Sequence, residues 1–414
     1  MPVECRECGT NRSPTTGHFR AKPMKRSRLS RNNKQTPDTT ELIRLATGLS
    51  QSACRLEDAY WEQRLTRLID RLLNTHDEAV IITALDQLYA DAGSRAYDEL
   101  IDIVESSAET RHSDTTSGFD AVLVAIPILA WSRFQIPSGS IPKPALETLR
   151  TQLQAHVLAT DARLGLADLL FSPDQLPQNY VETAQMAAKL AKAALHGQDL
   201  KVDVSQLAET INFLSDTRYI LAAVAAPRGA ALFRWQEDDS NRDAAFQQWR
   251  SQGGEALRPL LPACASELLP PSAYHAAVRD ADRASRPYSI QAAMSFLQTV
   301  LNRSASEFTA VVGSYYDSQL EEYRIGFTLR DNPNVVHGLV WPLLDSEDES
   351  AEALNQIETV LRQTGLEEIR ILDHRLPLEY CDDCGAPLYP NHEGEPTHAE
   401  LPEDPVNTLP RHLH

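Results

Sequence analysis

The sequence predicts an α/β protein of the mixed α+β kind. An N-terminal helical module is followed by two or three related strand–helix–strand units with a mixed sheet, then by a C-terminal zinc-knuckle-like tail. Three observations carry this reading. Apolar residues recur at helical period between residues 38 and 110. Short apolar runs then alternate with further helical stripes. Strict polar/apolar alternation appears from Tyr323 to Arg330.

The helical module spans residues 38–112. Asp38-Thr39-Thr40-Glu41 resembles a capping box, with Asp in place of Ser or Thr. Leu42, Leu45 and Leu49 then share one face. A second stripe is Leu65, Leu68, Ile69, Leu72 and Leu73, and a third is Val80, Ile81, Ala84, Leu85 and Leu88. A fourth helix lies around Tyr97 to Val104, and the polar stretch Ser106 to Ser117 reads as a linker.

Units one and two occupy residues 113–300. Ala121 to Trp131 is short enough for a buried strand despite Pro127. Pro144 to Leu158 follows as a helix, Leu164 to Phe171 as a strand, and an alanine-rich helix then runs to Gly197. The order recurs with apolar Ala230 to Trp235, a helix from Asp243 and an apolar stretch from Leu260 to Leu269, ahead of another helix. Tyr219 to Ala225 adds a strand.

Unit three, residues 301–375, has strands at Phe308 to Val312 and Tyr323 to Leu329. In the latter, Arg324, Gly326, Thr328 and Arg330 make a wet face. Val335 to Leu344 is a strand, Ala351 to Thr364 a helix ending at Gly365, and Ile369 to Leu372 the returning strand. Pro-x-x-Tyr follows each unit, at Pro177, Pro271 and Pro377, which suggests duplication.

Composition narrows the class. A hydrophobic fraction of 42% and a charged fraction of 23% belong to a globular chain. No apolar run reaches the ~20 residues of a membrane span, and the first residues lack the core of a signal peptide. Six cysteines, four of them in Cys-x-x-Cys pairs, fit a reducing compartment, so the reading is cytoplasmic. Residues 1–37 hold nine Lys/Arg and two Glu within a net charge of −19, so the rest of the chain is strongly acidic. An acidic body repels phosphate and disfavours nucleic acid. The cluster Lys25, Arg26, Arg28, Arg31 and Lys34 offers a tether to an acidic partner, or reads more simply as a solvated, disordered leader. Residues 403–414 read as a disordered tail.

The residues that speak of chemistry stand at the two ends. Cys381-Asp382-Asp383-Cys384-Gly385 occupies the knuckle segment, residues 376–402. Two thiols spaced by two residues can face one metal ion, and the glycine lets the backbone turn around it. A redox pair would sit at a helix N-terminus, which Gly385, Pro387 and Pro390 preclude, and Asp382 and Asp383 would oppose thiolate without a metal. Structural zinc is therefore the reading. Cys381 and Cys384 are its first ligands; His398, His392 or the pair Cys5 and Cys8 complete it, with His374 a further candidate. Met24 precedes the basic cluster as a natural initiator, and a chain begun there lacks Cys5 and Cys8.

The stretch from Arg55 to Glu62 and the tail from Leu378 to Pro390, with His398 to Pro402 beyond, resemble an uncharacterised proteobacterial family of unknown function. The resemblance runs from about residue 24 to residue 404 and implies a cytoplasmic protein carrying the knuckle, with His398 in the shared tail. Cys5 and Cys8 lie outside the shared pattern.

No Walker A loop, Gly-x-Gly-x-x-Gly, His-Glu-x-x-His or Gly-x-Ser-x-Gly occurs, and no residue is singled out as nucleophile or base. The functional reading is a non-catalytic interaction or regulatory scaffold with a protein partner. The alternative is an enzyme of unrecognised type with a cleft site between the α/β units.

Overall fold

The computed structural model describes residues 36–401, apart from 91–94, 114–117, 211–212, 238–240, 345–346, 348–350 and 383. Four helices open it: α1 (Pro37–Ser50), α2 (Arg55–Asn74), α3 (Glu78–Ala90) and α4 (Arg95–Glu109). Their apolar stripes meet in one core, with Leu42, Leu65, Ile69, Ile81 and Leu100 inside. The first helix starts two residues before the capping-box reading. Thr36 is the cap, its hydroxyl accepting from Thr39 N–H, and Pro37 takes the first helical position. Asp38 instead pairs with Arg71 of α2 at 2.9 Å.

The linker expected at 106–117 is shorter than predicted. Helix α4 continues to Glu109, and β1 (Thr110–His112) pairs with β2 (Phe119–Trp131). Ser107 and Ala108 are buried, so this polar-looking segment is packed. Beyond β2 come β3 (Gly139–Ser140), α5 (Lys143–His156), β4 (Arg163–Leu166), β5 (Leu169–Leu170), α6 (Tyr180–Leu195) and β6 (Ser215–Pro227). Next are α7 (Arg242–Gln248), α8 (Gly254–Leu257), β7 (Ala265–Leu268), β8 (Ser272–Ala273) and α9 (Tyr274–Leu301).

The first sheet is built on β2 and β6, antiparallel in register from Phe119↔Pro227 to Trp131↔Ser215. Strand β4 pairs with the far edge of β6, while β1, β7 and β8 pair with β2, all antiparallel. Alternate residues feed two cores. Val122, Val124, Ile126 and Ile220 pack with α5, while Leu123, Ala125, Tyr219 and Leu221 pack with α6 and α9. Helices cover both faces, which accounts for the continuous apolar run. Pro127 is tolerated because of where it lies. Its carbonyl accepts from Leu269, and the N–H it lacks would point the same way, into the break between β7 and β8.

The second sheet is mixed. Strands β9 (Phe308–Tyr316), β10 (Leu320–Leu329) and β11 (Asn332–Pro342) form an antiparallel meander; α10 (Ala351–Gln363) then crosses over to β12 (Glu368–Pro377), parallel to β9. Helix α9 reaches both sheets. Ala277 and Ala281 lie in the first core, and Ile290, Met294 and Leu297 in the second. At 28 residues it is about 42 Å long, enough to serve both.

Among the described residues the second expected unit lacks its two long strands. Residues 230–235 form a turn, a bridge and the start of a 3₁₀ turn (Arg234–Gln236), with the Phe233 and Trp235 rings stacked at 4.7 Å. In the stretch from Leu260 to Leu269 only Ala265–Leu268 is strand. Tyr180 and Tyr274 of the Pro-x-x-Tyr matches each open a helix, whereas Tyr380 enters the knuckle.

The face of β10 expected to be wet is largely buried. Arg324, Gly326 and Thr328 are covered, and only Arg330 at the strand's end is exposed. The cover is the C-terminal tail. Gly326 and Gly338 sit opposite one another on β10 and β11. A Cβ on Gly326 would collide with the Pro390 carbonyl, and one on Gly338 with the Tyr389 ring. Glycine is needed at both for the tail to approach. In a bare strand, Gly→Ala is favourable by about 0.5–1 kcal/mol. Gly326→Ala should instead cost about 1–3 kcal/mol by overpacking and make residues 379–400 sensitive to protease. Denaturant melts and limited proteolysis check this, and a stabilised variant with a resistant tail would count against the docking.

Candidate metal centre

The tail leaves β12 and forms a small hairpin. Leu388 N–H reaches Glu379 O at 3.4 Å, Tyr380 bridges Pro387, and Cys381 N–H donates to Ala386 O at 2.7 Å. At its tip Gly385 N–H donates to Cys381 O at 2.8 Å, and Gly385 takes a positive φ of 70°. This closes the turn carrying both thiols and explains the glycine after Cys384. Two short strands, β13 (Tyr389–Pro390) and β14 (Pro396–Thr397), then return the chain to the knuckle. Asn391 organises their turn, its side-chain oxygen accepting from Glu393 and Glu395 N–H.

His398 follows β14 directly and so arrives at the thiols. The Sγ atoms of Cys381 and Cys384 and a ring nitrogen of His398 lie within 4.8 Å of one another. His398 Nε2 is 3.3 Å from Cys384 Sγ. Tetrahedral zinc, with bonds of about 2.3 Å to sulfur and 2.0–2.1 Å to nitrogen, holds such atoms roughly 3.5–3.8 Å apart. The donor set fits a soft divalent metal, and these three residues could bind one.

The other proposed ligands stand differently. His392 is not part of this group; its carbonyl accepts from Arg370. His374 Nε2 donates to the Gly394 carbonyl at 3.3 Å. Cys5 and Cys8 lie outside the described residues, as does the basic leader.

Sequence reasoning missed the residue that holds the knuckle to the protein. Arg324 is fully buried. Its Nε donates to Glu322 at 2.6 Å, and one terminal nitrogen donates to the carbonyls of Glu379 (2.6 Å) and Leu388 (2.9 Å), one on each limb of the hairpin. Its guanidinium lies over the rings of Tyr315 and Tyr380, at 4.3 and 4.9 Å. Burial pushes the Glu322 carboxyl above its ordinary range, and Arg324 opposes that. The available signal was an arginine and a glycine on one strand face, an unusual pair for simple solvation.

A second group of titratable residues lies where the helical module meets the body. Glu109 of α4 accepts from the His275 N–H at the start of α9 (2.9 Å), and Glu78 of α3 accepts from the Tyr180 N–H at the start of α6 (2.8 Å). Both carboxylates thus satisfy helix N-termini across the seam. Arg279 of α9 pairs with Glu105 of α4 at 2.6 Å. Burial pushes the Glu109 carboxyl up to about 7; the His275 N–H pulls it down, Glu105 adds to the rise and Arg279 opposes it. Burial, with Arg279, drives the His275 imidazole down to about 3. This group is a joint between modules.

The comparisons give a family without an activity. The sequence matches the profile of a protein family of unknown function, DUF2863, over residues 27–412. The chain belongs to this family. Cys381, Cys384 and His398 fall inside the matched span, and Cys5 and Cys8 before it. No curated protein matches the chain, and no solved structure does. Among the described residues no helix is long and apolar enough to cross a membrane.

Glu109 gives a pH signature. Below its unfolded value of 4.5 it is protonated in both states and costs nothing. As pH rises toward the folded value of about 7 the unfolded chain ionises first, so stability is lost across that window. Glu109→Gln keeps the acceptor for His275 N–H and cannot ionise. Relative to the parent it should be about 2 kcal/mol more stable at pH 8 than at pH 5, read from urea unfolding. An equal difference at both pH values would contradict the burial effect.

Proposed function

We propose that the protein is a non-catalytic interaction or regulatory scaffold of the cytoplasm, whose C-terminal knuckle is a structural zinc site held by Cys381, Cys384 and His398. The observation that carries this is the convergence of two thiols and an imidazole on one closed turn, with donor atoms within 4.8 Å of one another. Zinc would supply no reaction here. It would fix the tip of a hairpin whose own backbone bonds are few, while Arg324 fixes its base.

The partner in this reading is another protein. The acidic body disfavours nucleic acid, which leaves the basic leader as the segment able to contact phosphate. The enzyme alternative has no comparable carrier among the described residues, since the most perturbed buried carboxyl, Glu109, is engaged at the start of α9.

The fourth ligand is the finer part of the proposal, with His392 or the Cys5 and Cys8 pair as candidates. Purified protein should contain one zinc per chain by elemental analysis, and Cys381→Ser should lose it while the first sheet and helical module melt unchanged. Chains begun at Met1 and at Met24 should carry equal zinc if the C-terminal residues suffice. Zinc lost only from the shorter chain would assign Cys5 and Cys8 an obligatory role. No zinc in either would end the reading.

A further inference from the structure

We infer that Glu400 is a positioning residue for the metal, orienting His398 from the side of the ring away from the thiols; this rests on the metal reading of the knuckle. His398 presents two nitrogens to different surroundings. Nε2 faces Cys384 Sγ at 3.3 Å, while Nδ1 is shielded from solvent, has no hydrogen-bond partner among the described residues, and lies 3.8 Å from Glu400 Oε1. A shielded ring nitrogen needs an acceptor for its proton, and the exposed Glu400 carboxylate, 3.8 Å away, reaches hydrogen-bond distance by a small side-chain shift.

The consequence is a fixed tautomer. With the proton held on Nδ1, the lone pair stands on Nε2, toward the thiolates. Carboxylate–histidine–metal relays of this form orient the ring and make the ligand nitrogen more basic. The backbone of Glu400 is itself anchored, its N–H donating to Val335 O of β11 at 2.8 Å. The far side of the site is thereby tied to the sheet, as Arg324 ties the near side. The spacing supports this: with His398 ending the β14 return and Glu400 two residues on, the main chain of Glu400 meets β11 while its side chain turns back to the imidazole.

Glu400→Gln removes the carboxylate charge and leaves the bond from residue 400 N–H to Val335 O available, so the tail stays docked. The test is zinc affinity of the full chain by chelator competition, together with the His398 tautomer by nitrogen NMR. Glu400→Gln should bind zinc about 10- to 100-fold more weakly than the parent and show a mixture of His398 tautomers in the metal-free protein. The parent should show the Nδ1–H form alone. A variant with parental affinity and a single Nδ1–H tautomer overturns the role of Glu400 while leaving the metal site intact. A parent that binds no zinc overturns the metal reading itself, and Cys381→Ser serves as the reference for complete loss. An unchanged melting temperature of the metal-free variant separates weakened ligation from misfolding.

Discussion

The buried guanidinium of Arg324 is the interaction on which the C-terminal third depends. A charge in the middle of a sheet face is costly unless it is paired and hydrogen-bonded. Here Glu322 supplies the counter-charge, two tyrosine rings supply the faces, and the carbonyls of Glu379 and Leu388 take further hydrogen bonds. Those carbonyls belong to the hairpin, so one terminal nitrogen of Arg324 finds its acceptors only when the knuckle is docked, while the other is buried with no hydrogen-bond partner among the described residues. Removing one partner of such a buried pair costs about 3–5 kcal/mol, because the other is left uncompensated. The glycines opposite one another on β10 and β11 meet the same demand by a different route, letting Tyr389 and Pro390 lie directly on the sheet.

The second sheet is thus incomplete without its tail. Its other face is closed by α9 and α10 in the ordinary way, with Phe308, Ile325, Phe327 and Leu361 inside. The tail face instead holds small clusters, Val311, Tyr315, Leu372 and Leu376 on one side and Val335, Val340 and Tyr389 on the other. A ribbon of two short strands has too little buried area to hold itself in place. Its anchors are the Arg324 bonds at the base and the Glu400 N–H on β11, and the Cys/His group gathers at its tip. A metal at that group would reduce the freedom of a loop whose two ends are already fixed.

Helix periodicity was legible because each stripe is long and strictly spaced. The predicted leucine stripes of α1, α2 and α3 point into one core, and Leu56 at the start of α2 lies exposed outside it. The long strands β2 and β6 were legible as apolar runs, although their antiparallel pairing was not, since helices on both faces erase the alternation that would reveal it. Ala230 to Trp235 was misread because an apolar run can serve a turn when its rings stack locally, as Phe233 and Trp235 do. The polar face of β10 was misread for a related reason. Alternation reports which residues are polar, and the cover over them came from a segment more than fifty residues further along the chain. Of the ligand candidates, the Cys-x-x-Cys pair was legible from residue type and spacing, and His398, which falls beside it, stood out by its place in the shared tail. The placement of His392 was not, because the turn at Asn391 sets where it sits.

The account turns on whether Arg324 holds the tail to the sheet. Arg324→Met, with Glu322→Gln in the same chain so that no carboxylate is stranded, followed by hydrogen–deuterium exchange of the full-length protein, tests it most directly. Exchange should accelerate across residues 379–400 and at Gly326 and Gly338, with β2 and β6 as protected as in the parent. A tail that exchanges at the parental rate in the double variant would contradict the account.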